Sequence, residues 1–145
     1  MRLEFLIDIH RPLREVFHVV GNLENDPKWQ SAVLEVEKVT DGPIDTGTRF
    51  RHVYRLVGRK AKVDLEFVDY AAPRHYELHC TWGPLTFSTK VFMEPIPKGT
   101  RTFTFIEGHG RGGLTLALVA LTRRRQREIA ADLQNLKSLM ESGAL

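Results

Sequence analysis

Alternation of apolar and polar residues predicts that the chain before the C-terminal helix is mostly β-strand. In the clearest run, residues 60–67, Val63, Leu65 and Phe67 alternate with charged residues. Side chains two residues apart in a strand share a face, so such a run has one buried and one solvated face. Apolar patterns and turn residues predict six further strands, at residues 3–9, 33–40, 48–57, 75–82, 86–94 and 100–107, of which 86–94 has no clear period.

Glycine and proline mark the turns between these strands, and the short connections favour an antiparallel sheet. Two short helices are expected between the first and second strands. Pro12 suits a helix start and Gly21 a helix end, while Asn22 is a capping residue for a second segment that ends near Trp29.

A long helix is predicted from about residue 113 to residue 140, because no proline interrupts this stretch. At roughly 1.5 Å per residue it would be about 40 Å long. Its apolar stripe, broken only by Arg125, needs a sheet to bury it. We therefore expect an α+β fold in which a seven-stranded antiparallel sheet curves around the C-terminal helix and leaves space between them. The stripe residues are Leu118, Leu121, Ile129, Leu133, Leu136 and Met140.

Composition narrows the class of protein. The length of 145 residues, with 42% hydrophobic and 27% charged residues, predicts a single globular domain over residues 1–145. A net charge of +3, with acidic residues scattered among basic ones, gives no expectation of nucleic-acid binding. The single cysteine, Cys80, and the lack of a signal peptide or membrane-spanning run favour the cytoplasm.

Several short motifs occur in order along the chain. They are Arg11-Pro12 with Val16-Phe17, residues 22–29, Gly42-Pro43 with residues 47–50, residues 70–74, Gly99-Thr100-Arg101 and residues 132–137. Taken together, these motifs resemble the START-like superfamily, also called the polyketide cyclase/dehydrase and lipid-transport or SRPBCC superfamily. The resemblance implies a helix-grip fold with an elongated apolar cavity between sheet and C-terminal helix, and short helices and loops at its mouth. The superfamily includes cyclases as well as lipid and quinone carriers.

The predicted inner face of the sheet is apolar and aromatic with a few polar groups, which is typical of a ligand pocket. Aromatic faces that only fill a core are the alternative. The expected ligand-binding residues are Trp29, Phe50, His52, Tyr54, Phe67, Tyr76, Trp82, Phe103, Ile129, Leu133 and Leu136.

His52 and Tyr54 are the candidate catalytic residues because they lie two apart on that inner face. A histidine can act as acid or base near neutral pH, and a tyrosine can donate a hydrogen bond to a carbonyl. A histidine satisfied within the core is the favoured alternative. For Arg125, an anion-binding role in the cavity competes with a surface position, and we favour the surface.

No metal or cofactor site is predicted. His75 and His79 lie too far apart in a strand to share a metal, and Cys80 has no visible base. Residues 108–113 fit G-x-G-x-x-G, but no strand follows them as a dinucleotide site requires, so we expect a flexible loop and a candidate gate at the cavity mouth. A basic cluster is formed by Arg123, Arg124, Arg125 and Arg127. Because of it, weak peripheral contact with anionic membranes stays an open alternative.

Three functions follow as hypotheses. The preferred one is a binding protein or carrier for a small hydrophobic molecule such as a lipid, a quinone or a polyketide-like compound. The alternative is an aromatic polyketide cyclase/dehydrase-type enzyme that uses His52 and Tyr54. The third is a module that docks to a macromolecule through the basic helix face. The sequence leaves the ligand, the cavity size and the oligomeric state undetermined.

Overall fold

The strands form one antiparallel sheet. The computed structural model describes residues 2–56, 58–109 and 114–145. The strands are β1 (Arg2–Ile9), β2 (Val33–Lys38), β3 (Arg49–Leu56), β4 (Arg59–Ala71), β5 (His75–Trp82), β6 (Leu85–Ile96) and β7 (Gly99–His109). Their spatial order is β1-β7-β6-β5-β4-β3-β2. The predicted seven-stranded antiparallel sheet is therefore confirmed.

The helices also follow the predicted order. Between β1 and β2 lie α1 (Leu13–Val20), a 3₁₀ turn (Leu23–Asn25) and α2 (Asp26–Trp29), and the chain continues from β7 into α3 (Leu114–Glu141). Asn22 caps the 3₁₀ turn, since its Oδ1 accepts a hydrogen bond of 3.1 Å from the backbone of Glu24. Because β1 and β2 occupy opposite edges of the sheet, the short helices cross from one edge to the other.

Close packing against β1 explains why the first residue of β7, Gly99, is a glycine. A Cβ atom built on Gly99 would lie 2.1 Å from the carbonyl oxygen of Ile9. Only glycine allows the backbones of β1 and β7 to approach this closely. Thr100 pairs with Ile9 in the ladder and is fully buried, and its hydroxyl donates to the carbonyl of Arg11 at 2.9 Å.

Aromatic side chains build the part of the core that lies between α1 and the central strands. Phe67 is fully buried, and its ring meets those of Phe50, Tyr70 and Tyr76 edge to face, with centroids between 5.0 and 6.0 Å apart. Phe17 on α1 completes the cluster against Tyr70 and Tyr76. Burying one such side chain contributes about 1.5–3 kcal/mol.

The second half of α3 is held against β1 and α2 by apolar and polar contacts. Leu136 and Met140 are each 1% exposed, which confirms this part of the apolar stripe. Asn135 donates from Nδ2 to the backbone oxygen of Trp29 at 3.3 Å, and Lys137 donates to the backbone oxygen of Asp8. The side chains of Leu118 and Leu121, and residues 110–113 of the expected gate, lie outside the described residues.

Candidate functional site

A pocket of about 130 Å³ lies between α3 and the concave face of the sheet. Its wall combines side chains from the short helices, from five strands and from α3. A predominantly apolar wall of this kind favours the burial of apolar ligand surface. The apolar and aromatic lining residues are Val20, Leu23, Trp29, Tyr54, Leu65, Tyr76, Leu78, Val91, Ile106, Ile129, Leu133 and Leu136.

A buried pair of a histidine and an aspartate is the main polar feature of this wall. Nε2 of His52, on β3, lies 3.2 Å from Oδ2 of Asp26, the first residue of α2. The side chains are only 2% and 3% exposed. The contact lacks the alignment of a linear hydrogen bond, so it is a close approach of an imidazole nitrogen to a carboxylate oxygen.

Local structure brings these two groups together. His52 pairs with Val36 on one side and with the buried Val63 on the other, which turns its ring towards α3. Asp26 and Trp29 lie three residues apart in α2 and therefore share the helix face that meets the pocket.

Polar groups of α3 hold α2 in position. The backbone N–H of Ser31 donates to the buried carboxylate of Asp132 at 3.1 Å, and Asn135 bonds to Trp29.

Burial raises the pKa of Asp26 from its usual 3.8 to about 6, although the neighbouring His52 opposes the increase. The carboxylate is thus predominantly ionised only above about pH 6.

Tyr54 lies between His52 and Arg125. Its ring centroid is 5.3 Å from that of His52, and the guanidinium carbon of Arg125 lies 5.7 Å from its centre, within cation–π range. Burial raises the pKa of Tyr54 above its usual value, so its hydroxyl stays protonated and can donate. The wall therefore presents a histidine–carboxylate pair, a phenol and a guanidinium as neighbours in space.

The position of Arg125 corrects our sequence-based preference for the surface. Its side chain is 17% exposed, lines the pocket and bonds through Nη1 to Glu128 at 2.5 Å. The stripe pattern places residue 125 at the boundary of the apolar face, where a long side chain can turn either way. The facing ring of Tyr54, on a strand distant in sequence, is what favours the inward direction.

Several buried polar atoms of the wall have no hydrogen-bond partner in the part of the chain that the structure describes. They are Oδ1 of Asp26, Nε1 of Trp29, both ring nitrogens of His52 and Oγ1 of Thr102. A buried donor or acceptor without a partner costs about 1–3 kcal/mol. All four residues line the pocket, so a polar group of a bound molecule would recover part of this free energy.

The expected ligand-binding residues fall into two groups. Trp29, His52, Tyr54, Tyr76, Ile129, Leu133 and Leu136 line the pocket. Phe50 and Phe67 lie on the inner face but belong to the aromatic core, and Trp82 packs at the periphery of that core. The pocket wall, as formed by the described residues, includes none of these three.

Phe103 requires a correction because it lies on the outer face of the sheet. It pairs with Leu6 and Phe92, which are 58% and 44% exposed. The neighbouring Thr102 pairs with the buried Ile7 and Met93 and faces the pocket. Since paired residues of antiparallel strands share a face, the register of β7 turns its threonines inward and its phenylalanines outward.

Sequence reasoning missed Asp26, Thr102, Thr104 and Asp132. Asp132 had a detectable signal, because it is three residues after Ile129 and four before Leu136 and so borders the apolar stripe. Asp26 stands three residues before Trp29, which is compatible with a shared helix face but specifies no partner.

Among the described residues no group of three or more His, Cys, Asp or Glu side chains is arranged to hold a metal ion.

Comparison with known sequences decides the family. The family described as polyketide cyclase / dehydrase and lipid transport matches residues 2–141. The chain belongs to this family. Among curated proteins none matches it.

No helix in the described part of the chain combines the length and the apolar character that crossing a membrane requires.

Solved structures share the fold of this family member at low sequence identity. A protein from Thermus thermophilus has a TM-score of 0.77 and 17% identity, with 100% of both chains covered. A START superfamily protein from Mycobacterium smegmatis has a TM-score of 0.70 and 10% identity, covering 97% of this chain and 94% of that one. The di-domain ARO/CYC protein BexL of the BE-7585A biosynthetic pathway has a TM-score of 0.73 and 20% identity, over 97% of this chain and 47% of that one.

Proposed function

We propose that the chain binds a small hydrophobic molecule in the pocket between α3 and the sheet, as a binding protein or carrier. The observation that carries this proposal is the pocket wall, in which an apolar surface surrounds buried polar atoms without a protein partner in the described residues. A volume of about 130 Å³ suits a group about as large as one aromatic ring, since engineered cavities of about 150 Å³ bind benzene. A longer lipid or polyketide would require the wall to move apart.

The test combines ligand detection with a matched pair of pocket variants. Native mass spectrometry of protein purified from its host would detect a small molecule that copurifies, and a thermal-shift panel of lipids, quinones and aromatic polyketides would detect binding. Cys80→Phe directs a ring into the pocket from β5, whereas Thr81→Phe adds the same ring to the exposed outer face of that strand.

We expect a ligand that raises the melting temperature of the wild type and of Thr81→Phe but not of Cys80→Phe. The proposal would be rejected if native mass spectrometry found no bound species and no member of the panel shifted the wild type. Equal binding to all three proteins would exclude this pocket as the binding site.

A second candidate function is catalysis of the aromatic polyketide cyclase/dehydrase type. The buried pair of His52 and Asp26 favours it, because an imidazole beside a carboxylate can take a proton from a carbon next to a carbonyl. Tyr54, 5.3 Å from His52 between ring centres, would donate to the resulting enolate oxygen. Turnover of a linear poly-β-ketone thioester by the wild type, with undiminished turnover by His52→Ala, would remove His52 from this mechanism.

The proposed site of action is the reducing cytoplasm. The single cysteine, Cys80, has no second cysteine in the sequence with which to form an internal disulfide. Localisation of a tagged chain in its host, by fractionation, tests this assignment, and recovery in an exported fraction would contradict it.

A further inference from the structure

The two nitrogens of the His52 ring have different surroundings. Nε2 lies 3.2 Å from Oδ2 of Asp26, whereas Nδ1 is buried without a hydrogen-bond partner in the described residues. A carboxylate next to one ring nitrogen favours the tautomer that carries its hydrogen there. The other nitrogen, Nδ1, then holds a free lone pair inside a residue that lines the pocket.

We propose that His52, oriented by Asp26, accepts a proton through Nδ1 from the acidic hydroxyl of a small phenol or enol bound in the pocket. This inference rests on the proposed ligand-binding function and identifies the chemical class of the ligand. His52 is the group that touches the ligand, and Asp26 is a positioning residue. The pocket volume of about 130 Å³ restricts the ligand, or the part of it that enters, to about one ring.

The proton transfer needs no further reactant. The ligand O–H bond breaks, its electron pair stays on the oxygen, and an Nδ1–H bond forms on His52. The imidazolium that results is next to the carboxylate of Asp26, which stabilises its positive charge. The ligand oxyanion gains hydrogen bonds from pocket donors that lack a partner in the described part of the chain, namely Nε1 of Trp29 or Oγ1 of Thr102.

The charged groups around this part of the pocket carry both signs. The guanidinium of Arg125 lies over Tyr54, the neighbour of His52, while Asp132 of α3 has its carboxylate engaged by the backbone of Ser31. Burial keeps the pKa of Cys80 at about 12 and raises that of Tyr54, so both remain neutral. Glu128 pairs with Arg125 at 2.5 Å, so the positive charge that forms on His52 is the one that offsets the bound oxyanion.

A pair of matched probes separates binding from proton transfer. 4-Nitrophenol carries the acidic hydroxyl and absorbs at longer wavelength when ionised, and nitrobenzene lacks the hydroxyl. Both are added to the full chain at a pH just above 6, where Asp26 is predominantly ionised and free 4-nitrophenol is still predominantly neutral. The variants are His52→Gln, whose amide keeps a donor near the position of Nε2 but lacks Nδ1, and Asp26→Asn. His79→Gln, on the exposed outer face of β5, is the control.

We expect the wild type and His79→Gln to bind 4-nitrophenol with the absorption band of the phenolate. His52→Gln should lose this band and bind 4-nitrophenol about ten- to a hundredfold more weakly, as expected for the loss of a charge-assisted hydrogen bond. Asp26→Asn should weaken the band. Binding of nitrobenzene should be unchanged in all variants, which also shows that their pockets are folded.

Two results would overturn the inference in distinguishable ways. If both probes bind the wild type but 4-nitrophenol stays neutral, or His52→Gln keeps the phenolate band, proton transfer to His52 is refuted while the ligand-binding function stands. If neither probe binds the wild type and none of the lipid, quinone and polyketide panel does, the ligand-binding function and the inference fail together.

Discussion

The imidazole of His52 and the carboxylate of Asp26 lie 3.2 Å apart, with no more than 3% of either side chain exposed. Removing two such groups from water is expensive, and their attraction rarely recovers the whole desolvation cost. The pair therefore contributes little to stability. This relationship gives a pH dependence that can be measured.

Asp26→Asn should stabilise the protein at neutral pH. The folded pKa of about 6 lies above the usual 3.8, so the folded state holds its proton more tightly than the unfolded state. The protonated carboxyl of Asp26 contributes its full share to the free energy of unfolding below about pH 4. This contribution is lost as the pH rises through 6. The difference corresponds to about 3 kcal/mol, so we expect a gain of about 1–3 kcal/mol at pH 7.5.

Urea unfolding of wild type and Asp26→Asn at pH 4.5, 6 and 7.5 measures this dependence. The exposed Asp41→Asn is the control, for which a difference independent of pH is expected. A gain for Asp26→Asn that does not shrink as the pH falls, or a loss of stability at pH 7.5, would contradict the prediction.

Arg125→Gln should destabilise the fold more than Arg124→Gln. Arg125 contacts Tyr54 and Glu128 and is 17% exposed, whereas Arg124 is 60% exposed and reaches Glu128 only at 3.8 Å. We expect about 1 kcal/mol for the first change and under about 0.5 kcal/mol for the second. Urea unfolding of both variants at one pH is the measurement, and equal losses would mean that the contact with Tyr54 contributes nothing.

Phe67→Ala and Phe92→Ala should differ strongly in cost. Phe67 is fully buried among aromatic rings, so its loss should reduce the free energy of unfolding by about 3–5 kcal/mol. Phe92 is 44% exposed on the outer face, and its loss should cost under about 1 kcal/mol. Chemical unfolding checks both values. Similar losses would imply that Phe67 is less tightly packed, or Phe92 more so, than the structure indicates.

Cys80 should react slowly with alkylating reagents in the folded protein. Burial raises the pKa of its thiol from 9.0 to about 12, and only the thiolate is reactive. We expect alkylation by iodoacetamide at pH 8 to be roughly a hundredfold or more slower than in urea-unfolded chain. The matched control is Thr81→Cys in a Cys80→Ser background, where the thiol is exposed. Equal rates for folded and unfolded wild type would show that Cys80 is accessible.

The strands and helices were predictable because they depend on neighbours in sequence. Alternation identified the inner face of β5, where Tyr76 and Leu78 are buried as expected, and the three- and four-residue spacing identified Leu136 and Met140. The same pattern left the face of β7 ambiguous. Its threonines and phenylalanines alternate equally well either way, and pairing with β1 and β6 decides which set is buried.

The sequence by itself determined the order of elements, the family resemblance and the candidates His52 and Tyr54. Only the tertiary structure decided that Asp26 meets His52, that Arg125 turns towards Tyr54, and that the space between them is about 130 Å³. The physical reason is that periodicity records which residues share a face of one element. The partner of a buried polar group depends on how separate elements pack, and here the contact joins α2 to β3, which lie apart in the sequence.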